Sequence, residues 1–373
     1  VRQETQERTV WAPGRVNLIG EHIDYHGLPV LPMALGRRVR VAYRPRADRR
    51  ICAASEAFGR REFEWRADLA PVAAGDWENY LRAAAVAVGR KWGVLLGVDA
   101  ATVSDLPAAA GLSSSSALLV AFTLALLGAN GLAASFDELM EILPDGEQFV
   151  GTRGGGMDHA ASLASRAGCA TLVEFAPLAV RHIPVPGDWS FLVANSLQKA
   201  EKSGGAREEY NLRRAAGDTA LARLGLSSYR EALPMAEQAA ARLDSGPERD
   251  SFLHTTSEAL RVGAAVDAME RADGAGFGSL LLASHASLRD RLRVSCDALD
   301  RLVEAAMEAG ALGARLTGAG FGGCAVVLCR RRDTGAVRRG LMERFYAGRA
   351  GFDESRDLID AVPGAGALYP ETQ

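Results

Sequence analysis

Lysine is close to absent from this chain: Lys91, Lys199 and Lys202 are the only three among 373 residues, while arginine is abundant. No Gly-Lys-Ser or Gly-Lys-Thr occurs, which excludes a phosphate loop of the Walker type. Cysteine is also sparse. Cys52, Cys169, Cys296, Cys324 and Cys329 form no Cys-x-x-Cys pair and leave an odd one over, which suits reduced thiols in a cytoplasm. The longest apolar run stops at Gly128, well short of a bilayer span, so no membrane partner is expected. The sequence as given opens without a signal-peptide pattern, and a cytoplasmic location is the expectation. A net charge of -3 leaves no nucleic-acid footprint, and the basic run 330–332 is short enough for a solvated loop.

What is present supports a globular protein with two domains. A hydrophobic fraction of 48% beside 24% charged residues allows each of them an interior. The segment around which the rest is organised is LPAAAGLSSSSA, residues 106–117, running into an apolar helical pattern over 118–127. Backbone N–H groups at such a loop-to-helix junction can face an anion, and the helix dipole adds to their pull. A single serine would suffice to cap an ordinary helix, whereas Ser113, Ser114, Ser115 and Ser116 supply four hydroxyls in a row. Phosphate is the expected guest. Without a nearby lysine, its charge must be met by a metal, the helix end or an arginine.

Residues 9–11 read as a strand entering a turn at Ala12-Pro13-Gly14. The loop expected after it, GRVNLIGEHIDY, packs Arg15, Glu21, His22 and Asp24 into ten residues. Arg15 and Asp24 can form a local ion pair, but the group together resembles a hydrogen-bonding set for a polyhydroxylated ligand. Strands are expected at 39–43, 51–54, 62–65 and 98–103, and a helix at 76–88 that starts with Trp77, Asn79 and Tyr80, either core anchors or a nucleobase platform. A helix over 136–143 should break at Pro144 before Glu147. Three glycines precede Asp158, which either caps a helix or stands where something approaches the backbone. Strands at 169–175 and 190–194 flank a proline-rich stretch where the domain changes. Helical periodicity then dominates 201–260 and 276–310. Residues 314–329, ARLTGAGFGGCAVVLC, read as strand, glycine loop, strand, with more glycines than a hairpin needs, as for a second backbone wall against a ligand.

Three of these segments, GRVNLIGEHIDYHG, PAAAGLSSSSA and LTGAGFGGCAVVL, resemble the three motifs of the GHMP small-molecule kinases, and the first is like the signature of the galactokinase branch. GTRGGGMDHAASL, VANS and YNLRR extend the similarity over nearly the whole chain. The resemblance implies an α+β fold: an N-terminal domain, residues 1–180, like ribosomal protein S5 domain 2, and a ferredoxin-like C-terminal domain, residues 181–373, with the active site between them. It makes Asp158 the catalytic aspartate and Arg15 its cationic partner. Glu21, His22, Asp24, Gly155 and Tyr210 match sugar-contacting positions. Gly111, Leu112, Ser113, Ser114, Ser115 and Gly320 match the ATP phosphate site, and Trp77, Asn79 and Tyr80 the start of the adenine pocket. Ser115 and Glu147 match the positions that hold Mg²⁺, with Pro144-Asp145-Gly146 altering the run before Glu147. Ala109 stands where many relatives have glycine.

The activity this implies is ATP-dependent phosphorylation of the anomeric hydroxyl of galactose by a monomer. The eukaryotic look of GEHIDY and GTRGGGMD makes N-acetylgalactosamine the alternative sugar, while Tyr210 within YNLR favours galactose. A non-catalytic sensor of galactose and ATP is a further alternative. The intact Ser115, Ser116, Asp158 and Arg15 speak against it.

Overall fold

The computed structural model describes residues 6–107, 111–151, 154–199 and 205–369; Ala109 lies outside them. Strands β1 (Arg8–Ile19), β2 (Leu31–Pro45), β3 (Arg50–Ser55), β4 (Gly59–Glu64) and β5 (Val98–Ser104) form one sheet in the order β1-β2-β5-β3-β4, with β3 and β5 parallel. The first strand does not end at residues 12–14 as the sequence led us to expect. Pro13 has no N–H to give, and the pairing with β2 shifts register between Pro13 and Arg15, then resumes at Arg15 opposite Ala34. Arg15 and Asn17 therefore sit on a strand, two residues apart and on one face, rather than in a loop.

Four helices cover this sheet: α1 (Glu78–Trp92), α2 (Ser114–Ala129), α3 (Phe136–Phe149) and α4 (Met157–Ala164). Helix α2 packs on β1 and β2, and α1 and α3 pack in turn around it. Being enclosed by sheet and helices, α2 buries Leu119, Val120, Phe122 and Leu126 completely and is apolar all round. Pro144 does not break α3, which starts at a Ser135–Glu138 capping box and runs through the proline to Phe149. The missing N–H removes one bond of the ladder; packing on α1, α2 and α4 holds the rest.

A hairpin of β6 (Cys169–Phe175) and β7 (Leu178–Pro184) follows, joined to the first sheet by the bridge Val30–Val173. Strand β8 (Trp189–Asn195) then opens the second sheet. The chain continues through α5 (Gly205–Leu224), α6 (Tyr229–Ala232), α7 (Ala236–Ala240), α8 (Pro247–Glu270), α9 (Gly274–Ser287), α10 (Asp297–Glu308), β9 (Gly313–Thr317), β10 (Cys324–Arg330), α11 (Thr334–Leu341), α12 (Glu354–Asp357) and β11 (Leu358–Asp360). The second sheet has the antiparallel order β11-β8-β10-β9. Its period-two pattern serves two cores. Phe191, Val193, Val326 and Leu328 face the large core shared with the first sheet, and Leu192, Ala194, Ala325 and Val327 face the helices α10 and α11. On β9 the same alternation turns Ala314 and Leu316 toward α10 and leaves Arg315 and Thr317 facing β1.

The tail returns to the first half, where Gly364 N–H donates to the Ala34 carbonyl and Gly366 N–H to that of Ser165. Among the described residues no helix is long and apolar enough to cross a membrane.

Candidate active site

Strand β1, the start of α2 and the start of α4 converge on one ion pair. Arg15 Nε donates to Asp158 Oδ1 at 2.6 Å, and Arg15 Nη1 donates to the Gly111 carbonyl at 2.8 Å. The backbone joins in, with Arg15 N–H donating to the Leu112 carbonyl at 3.1 Å. The Ser113 hydroxyl donates to Asp158 Oδ2. Burial by itself drives the Asp158 carboxyl upward, but the Arg15 charge and the Ser113 hydroxyl outweigh it and hold the group below the usual range. Asp158 is not a cap: that position belongs to Gly156, and Asp158 is the second residue of α4.

Ser113 is not an ordinary cap either. It stands at the N-cap of α2 with φ 55, and its hydroxyl bonds Asp158 instead of a helix amide. The ladder of α2 begins with Ala117 N–H on the Ser113 carbonyl. The three preceding N–H groups, of Ser114, Ser115 and Ser116, have no place in it and point out of the helix end. Ser114 and Ser115 are partly exposed there.

The sugar-matching positions form a second cluster against the first. Glu21 is buried, its carboxylate accepting from Asn17 Nδ2 and Gly318 N–H and lying 3.0 Å from Arg315 Nη2. His22 Nε2 donates to the Ala319 carbonyl at 3.1 Å, so its Nδ1 is the acceptor for the Tyr25 hydroxyl at 2.9 Å. Burial, with help from His254, lowers the imidazole to about 3, consistent with that neutral tautomer. Asp24 pairs not with Arg15 but with Gly155 N–H, at 3.1 Å. Its carboxyl is pushed up to about 6 by burial and by the Asp158 charge. Tyr210, from α5, completes the cluster with its ring 5.1 Å from that of His22 and 5.5 Å from that of Tyr25.

The close approach expected at the glycines is present, and protein backbone makes it. A Cβ on Gly155 would lie 2.3 Å from the backbone of Asp24 and Tyr25, so what approaches Gly155 is this chain itself. A Cβ on Gly320 would likewise meet the Val294 carbonyl at 2.2 Å. The glycine loop between β9 and β10 still forms a wall of the site, since Gly318 borders Gly111 of the serine loop and Ala319 holds His22.

Glu147 accepts from the Ser116 hydroxyl at 2.5 Å, and His159 Nε2 lies 3.7 Å from it. Ser116 thus stands between Glu147 and Asp158, its Oγ 3.4 Å from Asp158 Oδ2. No cluster of three or more His, Cys, Asp or Glu able to hold a metal occurs among the described residues. Glu147 with serine hydroxyls offers hard oxygen donors from few side chains. That donor set fits Mg²⁺, which binds through one or two carboxylates and takes its remaining ligands from phosphates and water.

Trp77 is buried in the main core, and the Asn79 amide is taken up by Val72 N–H and the Ala73 carbonyl. Neither of these Asn79 hydrogen bonds reaches the Arg15–Asp158 pair.

Residues 2–45 match the galactokinase galactose-binding signature, residues 79–166 the N-terminal domain of GHMP kinases and residues 265–347 their C-terminal domain. A galactokinase of Streptomyces coelicolor is 37% identical, over 96% of this chain and 93% of its own. The chain belongs to the galactokinase family. A galactokinase of Roseiflexus sp. is 38% identical over 90% of this chain and 87% of its own. The solved Lactococcus lactis galactokinase, complexed with galactose, superposes with a TM-score of 0.89 at 28% identity, covering 97% of this chain and 94% of that one. This is the α+β GHMP kinase fold, and the family makes the chain an ATP-using sugar kinase.

Family motifs led to the ion pair but not to the residues that hold the chain at 17–21. Thr317 lies within the third motif and Arg315 immediately before it, where an arginine inside an apolar strand was the available signal. Glu258 and His254 lie in a helical stretch whose sequence offers none.

Proposed function

We propose that this galactokinase-family chain transfers the γ-phosphoryl group of ATP to the anomeric hydroxyl of galactose, with Asp158 and Arg15 at the reacting atoms. The single observation that carries the reading is the Arg15–Asp158 pair, at 2.6 Å, beside a helix start with outward N–H groups and free hydroxyls. Asp158 is held ionised, so it accepts the proton of the sugar O1 hydroxyl. As O1 bonds to the γ-phosphorus, the bond from that phosphorus to the β,γ-bridging oxygen breaks and ADP leaves. In the loose transition state of phosphoryl transfer the nucleophile gives up its proton late, and a weak base suffices.

Arg15 has a second duty. Its Nη1, resting on the Gly111 carbonyl, is at the serine loop, where a guanidinium draws charge from phosphoryl oxygens. The N–H groups of Ser114, Ser115 and Ser116 receive phosphate oxygens. Glu147, oriented by Ser116, and Ser115 would hold Mg²⁺, which neutralises phosphate charge when bound. Glu21, His22, Asp24, Gly155 and Tyr210 orient the sugar, and Gly111, Leu112 and Gly320 shape the nucleotide side. Trp77, Asn79 and Tyr80 line the approach of the adenine. The reading takes the domain division near residue 180 and a monomer acting in the cytoplasm.

The experiment is ATP-dependent 1-phosphate formation across a panel of monosaccharides that includes galactose and N-acetylgalactosamine. Galactose 1-phosphate as the main product, with ADP release dependent on the sugar, supports the reading. ATP and galactose binding without turnover would replace it with a sensor.

A further inference from the structure

Residues 20–22 follow β1 as the turn that presents Glu21 and His22, and each of the three is held from the second half of the chain. Gly20 N–H donates to Glu258 Oε1 at 2.9 Å. The Glu21 carbonyl accepts from His254 Nε2 at 3.0 Å. His22 Nε2 donates to the Ala319 carbonyl of the glycine loop. His254 and Glu258 are four residues apart on α8 and so share one face of it. Both are fully buried.

Every side-chain oxygen and ring nitrogen of the two is hydrogen-bonded. Glu258 Oε1 also accepts from the Ser284 hydroxyl at 2.6 Å, and Oε2 from Arg261 Nε at 2.7 Å. His254 Nδ1 accepts from the Ser287 hydroxyl at 2.9 Å, which fixes the tautomer that donates from Nε2. Burying a carboxylate and an imidazole in a helix interface is unfavourable where two leucines would fill the space. The main-chain atoms they hold outside α8 and α9 are those of residues 20 and 21.

We propose that His254 and Glu258 are positioning residues of the sugar site: from α8 they fix the backbone at residues 20–21 and so the directions in which Glu21 and His22 meet the sugar. This rests on the assignment of Glu21 and His22 as sugar-contacting. Neither α8 residue takes part in the chemistry. Serines 284 and 287 of α9 orient the two in turn, so the sugar turn is registered against a helix pair rather than a loop.

The test measures kcat, the KM for galactose and the KM for ATP in His254→Leu and Glu258→Leu. His254→Gln and Glu258→Gln are the conservative counterparts, since a glutamine can still donate to the Glu21 carbonyl or accept from Gly20 N–H. The expected result is a galactose KM raised about tenfold by each leucine, the loss of one positioning hydrogen bond. The ATP KM stays at its wild-type value. At a fixed galactose concentration the sugar raises the melting temperature of the leucine variants by less than that of the wild type, and the glutamine variants recover most of both effects. Folded leucine variants with an unchanged galactose KM, galactose and ATP KM values rising together, or glutamines behaving as the leucines do would each overturn the inference. If the leucine variants do not fold, Ser287→Ala, which frees His254 Nδ1, is read by the same KM comparison and decides it. A wild-type protein that phosphorylates no hexose overturns the functional reading itself, which is a different outcome from unresponsive variants.

Discussion

Arg15 and Asp158, separated by 143 positions in the chain, meet at 2.6 Å, and the Asp158 oxygen not facing Arg15 Nε is held by the Ser113 hydroxyl. The two hydrogen bonds fix both the charge and the direction of the carboxylate before any sugar arrives. Preorganisation of this kind removes the reorganisation that a mobile base would need.

Asp158→Asn keeps the shape of the site and, on the proposed mechanism, removes its proton acceptor. Turnover should fall on the order of 10²- to 10⁴-fold, with galactose binding measured by calorimetry largely retained. A loss of only a few-fold would leave Asp158 as an orienting group and not a base.

Arg15→Met leaves Asp158 with burial unopposed by its main cation, so its carboxyl rises. The acidic limb of the pH profile of kcat/KM should then move to higher pH, and Ser113→Ala should move it in the same direction by less. Stability has the complementary sign. Because the folded carboxyl of Asp158 lies below its ordinary value, its contribution is present at neutral pH and lost on acidification. Breaking the pair should cost about 3 kcal/mol, near the lower end for buried pairs, because the Asp158 side chain remains 22% exposed. Urea melts at pH 7 check this.

Asp24 carries the opposite linkage. Its carboxyl is raised to about 6, so the folded state binds that proton more tightly than the unfolded chain does. The penalty for ionising it is absent in acid, develops from the ordinary range near pH 4 up to about pH 6, and is complete above that. Asp24→Asn should therefore stabilise the sugar-free protein at pH 8 by on the order of 2–3 kcal/mol, fade to no effect near pH 4, and weaken galactose binding. Melting curves of the variant and wild type across this pH range test the sign.

Gly155→Ala puts a methyl group where the backbone of Asp24 and Tyr25 already lies. The turn must shift, at about 1–3 kcal/mol in stability as for other overpacked sites. The KM for galactose should rise while the KM for ATP does not. Equal galactose KM values for variant and wild type would count against Asp24 as a sugar contact.

Ser116→Ala removes the hydroxyl that holds Glu147. The Mg²⁺ concentration for half-maximal turnover should rise about 10-fold, as when a supporting partner of a metal ligand is lost. Titration of Mg²⁺ at saturating galactose measures it, and an unchanged midpoint would separate Glu147 from the ion.

Much of the architecture was legible because it is local. Alternation gave β3 and β4, a helical pattern gave the first part of α3, and the hydroxyl run ahead of an apolar stretch marked α2. The errors were local rules overridden by packing. Pro13 reads as a strand end, yet a register shift absorbs it and β1 continues to Ile19. Pro144 reads as a helix end, yet neighbours on three sides keep α3 intact. Gly155 and Gly320 were rightly read as points of close approach. What approaches is backbone from residues 24–25 and 294, which a one-dimensional pattern cannot name.

The sequence by itself determined which chemical groups the site would have. Motif spacing is kept in the order of the chain, and a carboxylate, a guanidinium and a hydroxyl run can be read from it directly. Only the tertiary structure decided who partners whom: that Arg15 takes Asp158 rather than Asp24, that Ser113 bonds Asp158 and Ser116 bonds Glu147, and that His254 and Glu258 hold the backbone at residues 20–21. Those pairings depend on distances of a few ångströms between segments 31 to 238 positions apart. Such distances are set by how the sheets and helices pack, and no single segment contains that information.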